Sequence, residues 1–520
     1  MKIYSISQND TNLIKGLAIF CIVFHNFFHW ISPSPGENEF LFNEQYIYNF
    51  FSLIKEKPTE TINVLFSYLG HYGVQIFVFI SGLGLTYSMK KSKKSWSVFM
   101  SYRLKKLIPL LLTGVIVFFL SSIIINQSLI TKLGWHEILY KMLFIHTMLP
   151  YSGLSEVGPW WFFGLIIQLY LLFPFLYKLF EKFDWKTFLT FCIISYGWIF
   201  FSHYYFQDIK EVSVMQNAPG HLPEFCFGIW FAQNKDKKIH LFWLLISIVI
   251  FVLGNFFHVF YPFTFIAVTI IFIFAYPYIK RIIFWKQSYL QSFFLFLGNL
   301  SMIIFAVHAI FRYPFVYTLS PYQNAGITLC AGVLFFITII GVSIASKKIY
   351  DFLLSLFNKI KIKQPNKCIE RTIISLVLAF FCYVIFYYIA VNCANMRQNM
   401  IPLYCYKNDT ITVEKNYINL AKYQINDNPY KIYADIEFDY FNETDNKPAV
   451  ILSITGIVWQ RYYMIEGIKN KDDSDHYIIN YKYLRPFVQF TKNKEISIYL
   501  WNNNNSIGEI KNVSISVYKE

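Results

Sequence analysis

Long apolar runs separated by short polar loops dominate the first 394 residues of the chain. A helix needs about 20 predominantly apolar residues to cross a bilayer, and several of these runs approach or exceed that length. We place candidate membrane helices at residues 12–31, 70–89, 107–126, 160–180, 187–205, 218–233, 240–258, 261–279, 293–316, 325–346 and 371–394. The pattern predicts an α-helical polytopic membrane protein with about 10–11 transmembrane helices.

The pattern changes after residue 400, where apolar and polar residues alternate with a period of two. The alternating runs lie at residues 433–440, 449–454, 476–481, 496–501 and 513–518. Such spacing predicts a C-terminal all-β domain of the sandwich or jelly-roll type, whose many aromatic residues could stack on sugars or fill a small core. We therefore divide the chain into a membrane domain at 1–350, a linker with one further transmembrane helix at 351–399, and a β domain at 400–520.

The basic residues indicate how the chain is oriented in the membrane. The formal net charge is +15, and most of the lysines and arginines before residue 395 fall in every second loop between the apolar runs. These loops are residues 90–106, 178–186, 234–239, 280–292 and 347–370. Basic loops face the cytoplasm, so we expect a cytoplasmic N-terminus and a β domain outside. Basic residues placed this way argue for contact with membrane lipid and against a nucleic-acid partner.

Two histidines lie in the outer half of the first apolar segment, at positions 25 and 29. An ionisable side chain at that depth usually faces the protein interior or a water-filled cavity. His25 is therefore a candidate general base for taking a proton from a hydroxyl group, or a transient acyl carrier. His29 lies one turn further on the same helix face and could orient His25 or only lie at the outer end of the helix. Asn26 stands where a zinc-protease helix would have glutamate, so we predict no metal site.

Four separated segments resemble the acyltransferase 3 family of integral membrane O-acyltransferases. They are Leu13-Ile-Lys15-Gly-Leu-Ala-Ile with His25 downstream; Gly73 to Leu85 followed by Trp96 to Pro109; Trp160 to Pro174 followed by Leu222-Pro223-Glu224-Phe-Cys-Phe-Gly228; and Leu297 to His308. Their order and spacing cover most of residues 10–350. The β-rich tail lies outside the resemblance.

The chain also departs from the family pattern at four points, one being that His25 falls one residue closer than in the commonest family spacing. Asn12 stands where the family commonly has aspartate, with Asp10 nearby, and Lys15 replaces the family's first-helix arginine. The basic pair of the family is Arg103 and Lys106 here, which keeps the charge but loses one planar guanidinium. These departures bear on the geometry of donor binding more than on the class of reaction.

The resemblance implies transfer of an acyl group, in most cases acetyl, from cytoplasmic acyl-CoA (acetyl-CoA) to a hydroxyl of an exported or cell-surface glycan or glycolipid. No bound cofactor is expected, and the implied location is a bacterial cytoplasmic membrane. We expect three groups of site residues: catalytic His25, Lys15 and His308; donor-binding Arg103, Lys106 and Ser81; and acceptor-binding His29, Trp160 and Glu224.

Several of these residues also have ordinary structural explanations. Arg103 and Lys106 could serve only as positive-inside anchors, and Ser81 could belong to close helix packing. His308 could be a packed, hydrogen-bonded histidine, and Glu224 could cap a helix or pair with a catalytic base. Two other functions stay open: a transporter or flippase for a lipid-linked saccharide, and a non-catalytic membrane anchor for a carbohydrate-binding domain.

Overall fold

The computed structural model describes most of the N-terminal three quarters of the chain and a set of strands near its C-terminus. The described residues are 6–125, 135–149, 152–205, 213–234, 237, 239–283, 289–312, 315–316, 324–360, 370–372 and 374–375, together with the strands given below. The described helices belong to one compact unit and the strands to a second.

The first unit is helical. Its α-helices are α1 Gln8–Phe28, α2 Gln45–Glu56, α3 Thr61–Leu69, α4 Gly73–Lys91, α5 Trp96–Ile125, α6 Trp135–Met142, α7 Trp161–Phe183, α8 Trp185–Tyr205, α9 Ala218–Gln233, α10 Leu241–Phe256, α11 Thr264–Ile283, α12 Tyr289–Val307 and α13 Ala325–Lys359. Short 3₁₀ turns precede or follow several of them, notably at Gly70–Tyr72 and His308–Phe311.

Seven described helical stretches are long and apolar enough to cross a membrane. They are Gln8–Phe28, Pro58–Lys91, Trp96–Ile123, Gly158–Phe183, Tyr261–Ile283, Tyr289–Phe311 and Ala325–Lys359. The prediction of a helical, polytopic membrane protein is therefore confirmed. Each of the first ten predicted segments overlaps a described helix, whereas the eleventh, 371–394, lies almost wholly outside the described residues. The full number of spans stays a prediction.

The predicted loop at 32–69 contains two helices that the search for long apolar runs missed. Helix α2 is amphipathic: Ile47 and Phe50 pack against Val64 and Tyr68 of α3. Its other face is polar or exposed, so the segment never forms an apolar run long enough to span a bilayer. Helix α3 leads through the 3₁₀ turn Gly70–Tyr72 into α4, and this continuous helical stretch passes beside α1.

The start of α1 is fixed by a reciprocal cap and by contacts to α11. The Ser7 hydroxyl accepts a hydrogen bond from the Asp10 backbone, and the Asp10 carboxylate accepts one from the Ser7 backbone at 3.0 Å. The same carboxylate forms an ion pair with Lys280 at 2.7 Å and accepts a hydrogen bond from the Tyr276 hydroxyl at 2.6 Å. Capping of this kind stabilises the first turn of a helix.

Helices α1 and α12 approach each other closely because each presents a glycine to the backbone of the other. A Cβ atom added to Gly298 would collide with the backbone of Asn12, and one added to Gly16 would collide with the backbone of Phe294. Small residues permit such contacts between membrane helices. This packing holds the end of α12, with His308 directly after it, beside the helix that carries His25.

The second unit consists of strands β1 Ile401–Val413, β2 Tyr417–Ile425, β3 Lys431–Asn442, β4 Ala449–Ile454, β5 Gln460–Met464, β6 His476–Leu484, β7 Lys494–Trp501 and β8 Gly508–Lys519. They pair antiparallel in the orders β1-β8-β3-β6 and β2-β7-β4-β5. Each of the five alternating runs in the sequence lies within one strand. Packing of the two sheets into a sandwich or jelly roll stays a prediction, as do the domain boundaries.

Candidate active site

The side chain of His25 is buried near the end of α1 with one nitrogen fixed and the other available. Its relative exposure is 4%, and Nδ1 lies 2.9 Å from the backbone oxygen of Ser67 in α3. A carbonyl oxygen can only accept, so Nδ1 carries the proton and donates it to this bond. The lone pair is therefore on Nε2, which lies 4.0 Å from a carboxylate oxygen of Glu39. The arrangement leaves a neutral imidazole ready to take up a proton.

The loop that follows α1 folds back and brings two carboxylates to this helix. Glu37 forms a close ion pair with His29, and one ligand atom each from His25, Glu37 and Glu39 lies within 4.8 Å of the others. These groups can share a proton, and the same donor set could hold a divalent cation. We call His25, His29, Glu37 and Glu39 the histidine cluster.

Contacts to two aromatic residues hold Glu39 in place. The Tyr261 hydroxyl donates to the Glu39 backbone oxygen at 2.8 Å. The next residue, Phe40, packs edge-on against Trp161 with ring centres 5.2 Å apart. Burial, and then the nearby negative charge of Glu37, raise the pKa of Glu39 well above its usual value. The loop is thus a packed part of the site.

The two glutamates were not predicted from the sequence. The predicted site residues lie in or next to apolar segments, whereas Glu37 and Glu39 lie in a polar loop that contains two prolines. The signal that could have found them is a pair of acidic residues in the loop after a helix that has His25 in its last turn and His29 at its C-cap.

Two further histidines lie near the cluster. His71, in the 3₁₀ turn before α4, is buried with its ring centre 5.5 Å from that of His25, and neither of its nitrogens has a hydrogen-bond partner among the described residues. His308 is fully buried, and its Nδ1 donates to the backbone oxygens of Ile304 and Phe305 at 3.2 and 3.0 Å. Its Nε2 has no partner among the described residues, and its charge is within range of His25. The structure therefore places His308 near enough to His25 for their charges to interact, and the catalytic roles of both stay predictions.

A second group of predicted residues meets at the other end of α1. Lys15 is half-buried and its charge interacts with that of Lys106 on α5. The Arg103 guanidinium, one turn before Lys106, lies over the rings of Phe99 and Tyr170 at 5.2 and 5.7 Å. No described carboxylate forms an ion pair with any of these three cations. We call Lys15, Arg103 and Lys106 the basic end.

The basic end and His25 lie at different depths along α1. Ten residues separate Lys15 from His25, which corresponds to about 15 Å along a helix. Ser81, the third predicted donor-binding residue, is half-buried on α4, and its hydroxyl donates to the Phe77 backbone oxygen of the same helix at 2.9 Å. Its role in donor binding stays a prediction.

The predicted acceptor-binding residues have very different surroundings. The His29 side chain is 28% exposed and belongs to the histidine cluster. Trp160 is fully buried and donates from its indole nitrogen to the Ala306 backbone oxygen at 2.8 Å. Glu224 is also fully buried; its carboxylate lies 3.8 Å from Nδ1 of His221 and forms no hydrogen bond with a described residue. Of the three, His29 alone reaches solvent, and their roles toward an acceptor stay predictions.

Comparison with known proteins identifies one similarity. A family model described as an acyltransferase domain matches residues 9–347, which include both the histidine cluster and the basic end. No curated protein matches the chain, and neither does any solved structure.

Proposed function

The chain belongs to the acyltransferase 3 family, and from this membership we propose that it transfers an acyl group, in the first instance acetyl, from acyl-CoA to a hydroxyl of an exported glycan or glycolipid. Family membership and the seven apolar helices support a multi-pass membrane acyltransferase. The donor, the acceptor and the residue roles below are our proposal.

The observation that carries the chemistry is the fixed imidazole of His25. Nδ1 donates to the Ser67 backbone oxygen, and Nε2 faces Glu39 with its lone pair free. In this geometry Nε2 takes the proton from the acceptor hydroxyl while the hydroxyl oxygen attacks the carbonyl carbon of the thioester. The tetrahedral intermediate then collapses, the carbon–sulfur bond breaks, and the imidazolium returns its proton to the coenzyme A thiolate. An ester and free coenzyme A are the products.

Glu39 and His308 have supporting roles in this proposal. An ionised Glu39, 4.0 Å from Nε2, stabilises the imidazolium that forms in the first step. His308 presents a second buried nitrogen without a described partner on the neighbouring helix α12. It is suited to contact the acceptor hydroxyl or the reacting carbonyl group.

The basic end supplies the site for the donor phosphates. Lys15, Arg103 and Lys106 hold positive charge that no described carboxylate neutralises, and phosphates form strong charge-assisted hydrogen bonds with such groups. The thioester end of the donor would then extend about 15 Å along α1 to reach His25. With the N-terminus in the cytoplasm, this path leads from the cytoplasmic donor to an outward-facing acceptor. The strands after residue 400 would form an extracytoplasmic domain that positions the acceptor.

An ester-transfer assay with purified protein in lipid vesicles tests this function. Acyl-CoA carrying a labelled acetyl group is incubated with cell-surface glycan fractions, and alkali-labile label on the glycan is measured. His25→Ala should lower the rate by about 100-fold or more, since a general base contributes roughly 10²–10⁴-fold.

The matched control is His240→Ala, which removes an exposed histidine from the start of α10 and should leave the rate within about twofold. Coenzyme A affinity of the His25→Ala protein establishes that it is folded. Full ester formation by that protein would remove His25 from the reaction. Movement of a lipid-linked saccharide across the vesicle without ester formation would instead favour a flippase.

A further inference from the structure

Arg312 carries a positive charge beside the end of α1 that no described acid neutralises. It follows the 3₁₀ turn that begins at His308, and its Nη1 donates to the backbone oxygen of Asn26 at 3.2 Å and to the side-chain oxygen of Asn26 at 3.4 Å. Both acceptors are neutral. The side chain is partly buried, and no acid among the described residues forms an ion pair with it.

The guanidinium group of Arg312 lies over an exposed aromatic ring. Its central carbon is 4.4 Å from the centre of the Trp30 ring system, a geometry typical of a cation–π contact. Trp30 is 55% exposed, although it lies at the end of a helix that is otherwise largely buried. The other neighbour of its ring is His29 of the histidine cluster, with ring centres 5.5 Å apart in an edge-to-face arrangement.

These contacts place Arg312 next to the proposed reaction centre. Asn26 and Trp30 lie on the face of α1 adjacent to the face that carries His25 and His29. His308 is within electrostatic range of both His25 and Arg312, and its Nε2 is a fully buried nitrogen without a described partner. A ligand that contacts Arg312 and Trp30 is therefore within reach of the imidazole that would take its proton.

We propose that Arg312 and Trp30 form an acceptor subsite that binds an anionic sugar derivative, with the guanidinium holding its carboxylate or phosphate and the indole stacking on its ring. This inference rests on the proposed acyl transfer and specifies the acceptor. The two Nη and one Nε groups of arginine match planar anionic oxygens, and only Nη1 is occupied by described residues.

Binding measured without acyl donor tests the subsite independently of transfer. The purified full-length protein is titrated with a neutral galactose trisaccharide, with trigalacturonate, and with the same neutral trisaccharide bearing one phosphate. The wild-type protein should bind at least one of the two anionic probes about 10- to 100-fold more tightly than the neutral one, and less tightly as salt is raised. The anionic probe with the higher affinity distinguishes a sugar acid from a phosphorylated sugar.

Arg312→Gln should abolish the preference for the anionic probe and leave binding of the neutral probe within about twofold. Arg312→Lys should keep part of the preference, because it retains the charge but not the planar fork, and it provides a second variant if Arg312→Gln fails to fold. Arg281→Gln, which removes one exposed positive charge at the end of α11, is the matched control.

Two outcomes would overturn the inference. One is a wild-type protein that binds all three probes equally, and the other is an anion preference that survives in Arg312→Gln. If the preference depends on Arg312 but no probe or glycan ever becomes acylated, the subsite stands and the proposed transfer fails. In steady-state assays the Arg312→Gln change should raise the acceptor KM with little effect on kcat, which a general loss of structure would not do.

Discussion

At the basic end of the membrane unit, no described carboxylate neutralises the positive charges of Lys15, Arg103 and Lys106. At the histidine cluster, in contrast, His25 and His29 each face a glutamate of the following loop. Both regions include a residue of α1, Lys15 in one and His25 in the other, and these lie about 15 Å apart along the helix. On the proposed function, the contrast reflects what each region would have to bind.

An unpaired cation is suited to hold a multiply charged anion, because a resident carboxylate would compete for the same hydrogen-bond donors. A general base has the opposite requirement, since its imidazolium form must be stabilised for the short time that it holds a proton. The comparison therefore predicts that substitutions at the basic end change donor binding, whereas substitutions at the cluster change the rate of the chemical step.

The largest expected effect on donor binding comes from removing two charges at the basic end. Arg103→Ala/Lys106→Ala should raise the KM for acyl-CoA by about 100-fold with little change in kcat, because two charge-assisted contacts to phosphate are lost. Titration with coenzyme A measures the affinity directly. Lys182→Ala, which removes an exposed lysine near the end of α7, is the control. Unchanged coenzyme A affinity in the double variant would indicate that the basic end serves only to anchor the helices at the membrane surface.

Glu39→Gln should act on the chemical step and on its pH dependence. Loss of about 1.4 kcal/mol of imidazolium stabilisation corresponds to a tenfold lower kcat. Because burial and Glu37 raise the pKa of Glu39, the wild-type rate should rise with pH as this carboxyl group ionises, and the variant should lack that rise.

The same substitution has a consequence for stability with a defined sign. The folded protein binds the Glu39 proton more tightly than the unfolded chain does, so the free energy of unfolding should fall as pH rises from the unfolded value towards the raised pKa. Glu39→Gln should remove this slope, whereas Glu44→Gln, at an exposed position of the same loop, should keep it. If the reaction rates of the wild type and Glu39→Gln depended on pH in the same way, Glu39 would have no part in the reaction.

The smallest expected effect concerns the packing that holds the two helices together. Gly298→Ala places a methyl group against the backbone of Asn12, so α12 must shift relative to α1, at a cost of about 1–3 kcal/mol in the free energy of unfolding. Because His308 follows α12, kcat should fall a few-fold while coenzyme A affinity is kept. Gly341→Ala in α13, where no atom lies near the added methyl group, is the control. An undiminished unfolding temperature for Gly298→Ala would argue against this tight contact.

The helices of the membrane unit were largely predictable because a bilayer imposes a length and a polarity on each span. The same reasoning missed α2 and α3, which lie in the segment between the first two predicted spans and are too short or too polar to register. It also began α5 too late, since the basic residues from Arg103 to Lys106 belong to the helix and not to a loop.

The candidate site was predictable only where it lies on helices. His25 and His308 were predicted from their depth and motifs, and the structure places them within range of each other. Glu37, Glu39 and Arg312 were missed because their approach to α1 depends on how loops and turns fold back, which no periodicity encodes. Trp160 was assigned to the acceptor; its indole nitrogen donates a hydrogen bond to the Ala306 backbone oxygen, and its role toward an acceptor stays a prediction.

The base and both carboxylates of the histidine cluster come from one uninterrupted stretch of chain, residues 25–39. A graft of this stretch between related enzymes would therefore move these groups together, provided that the recipient offers matching contacts from α3 and from Tyr261. Substitutions in this loop alone would change the two carboxylates and leave the residues of the basic end unchanged.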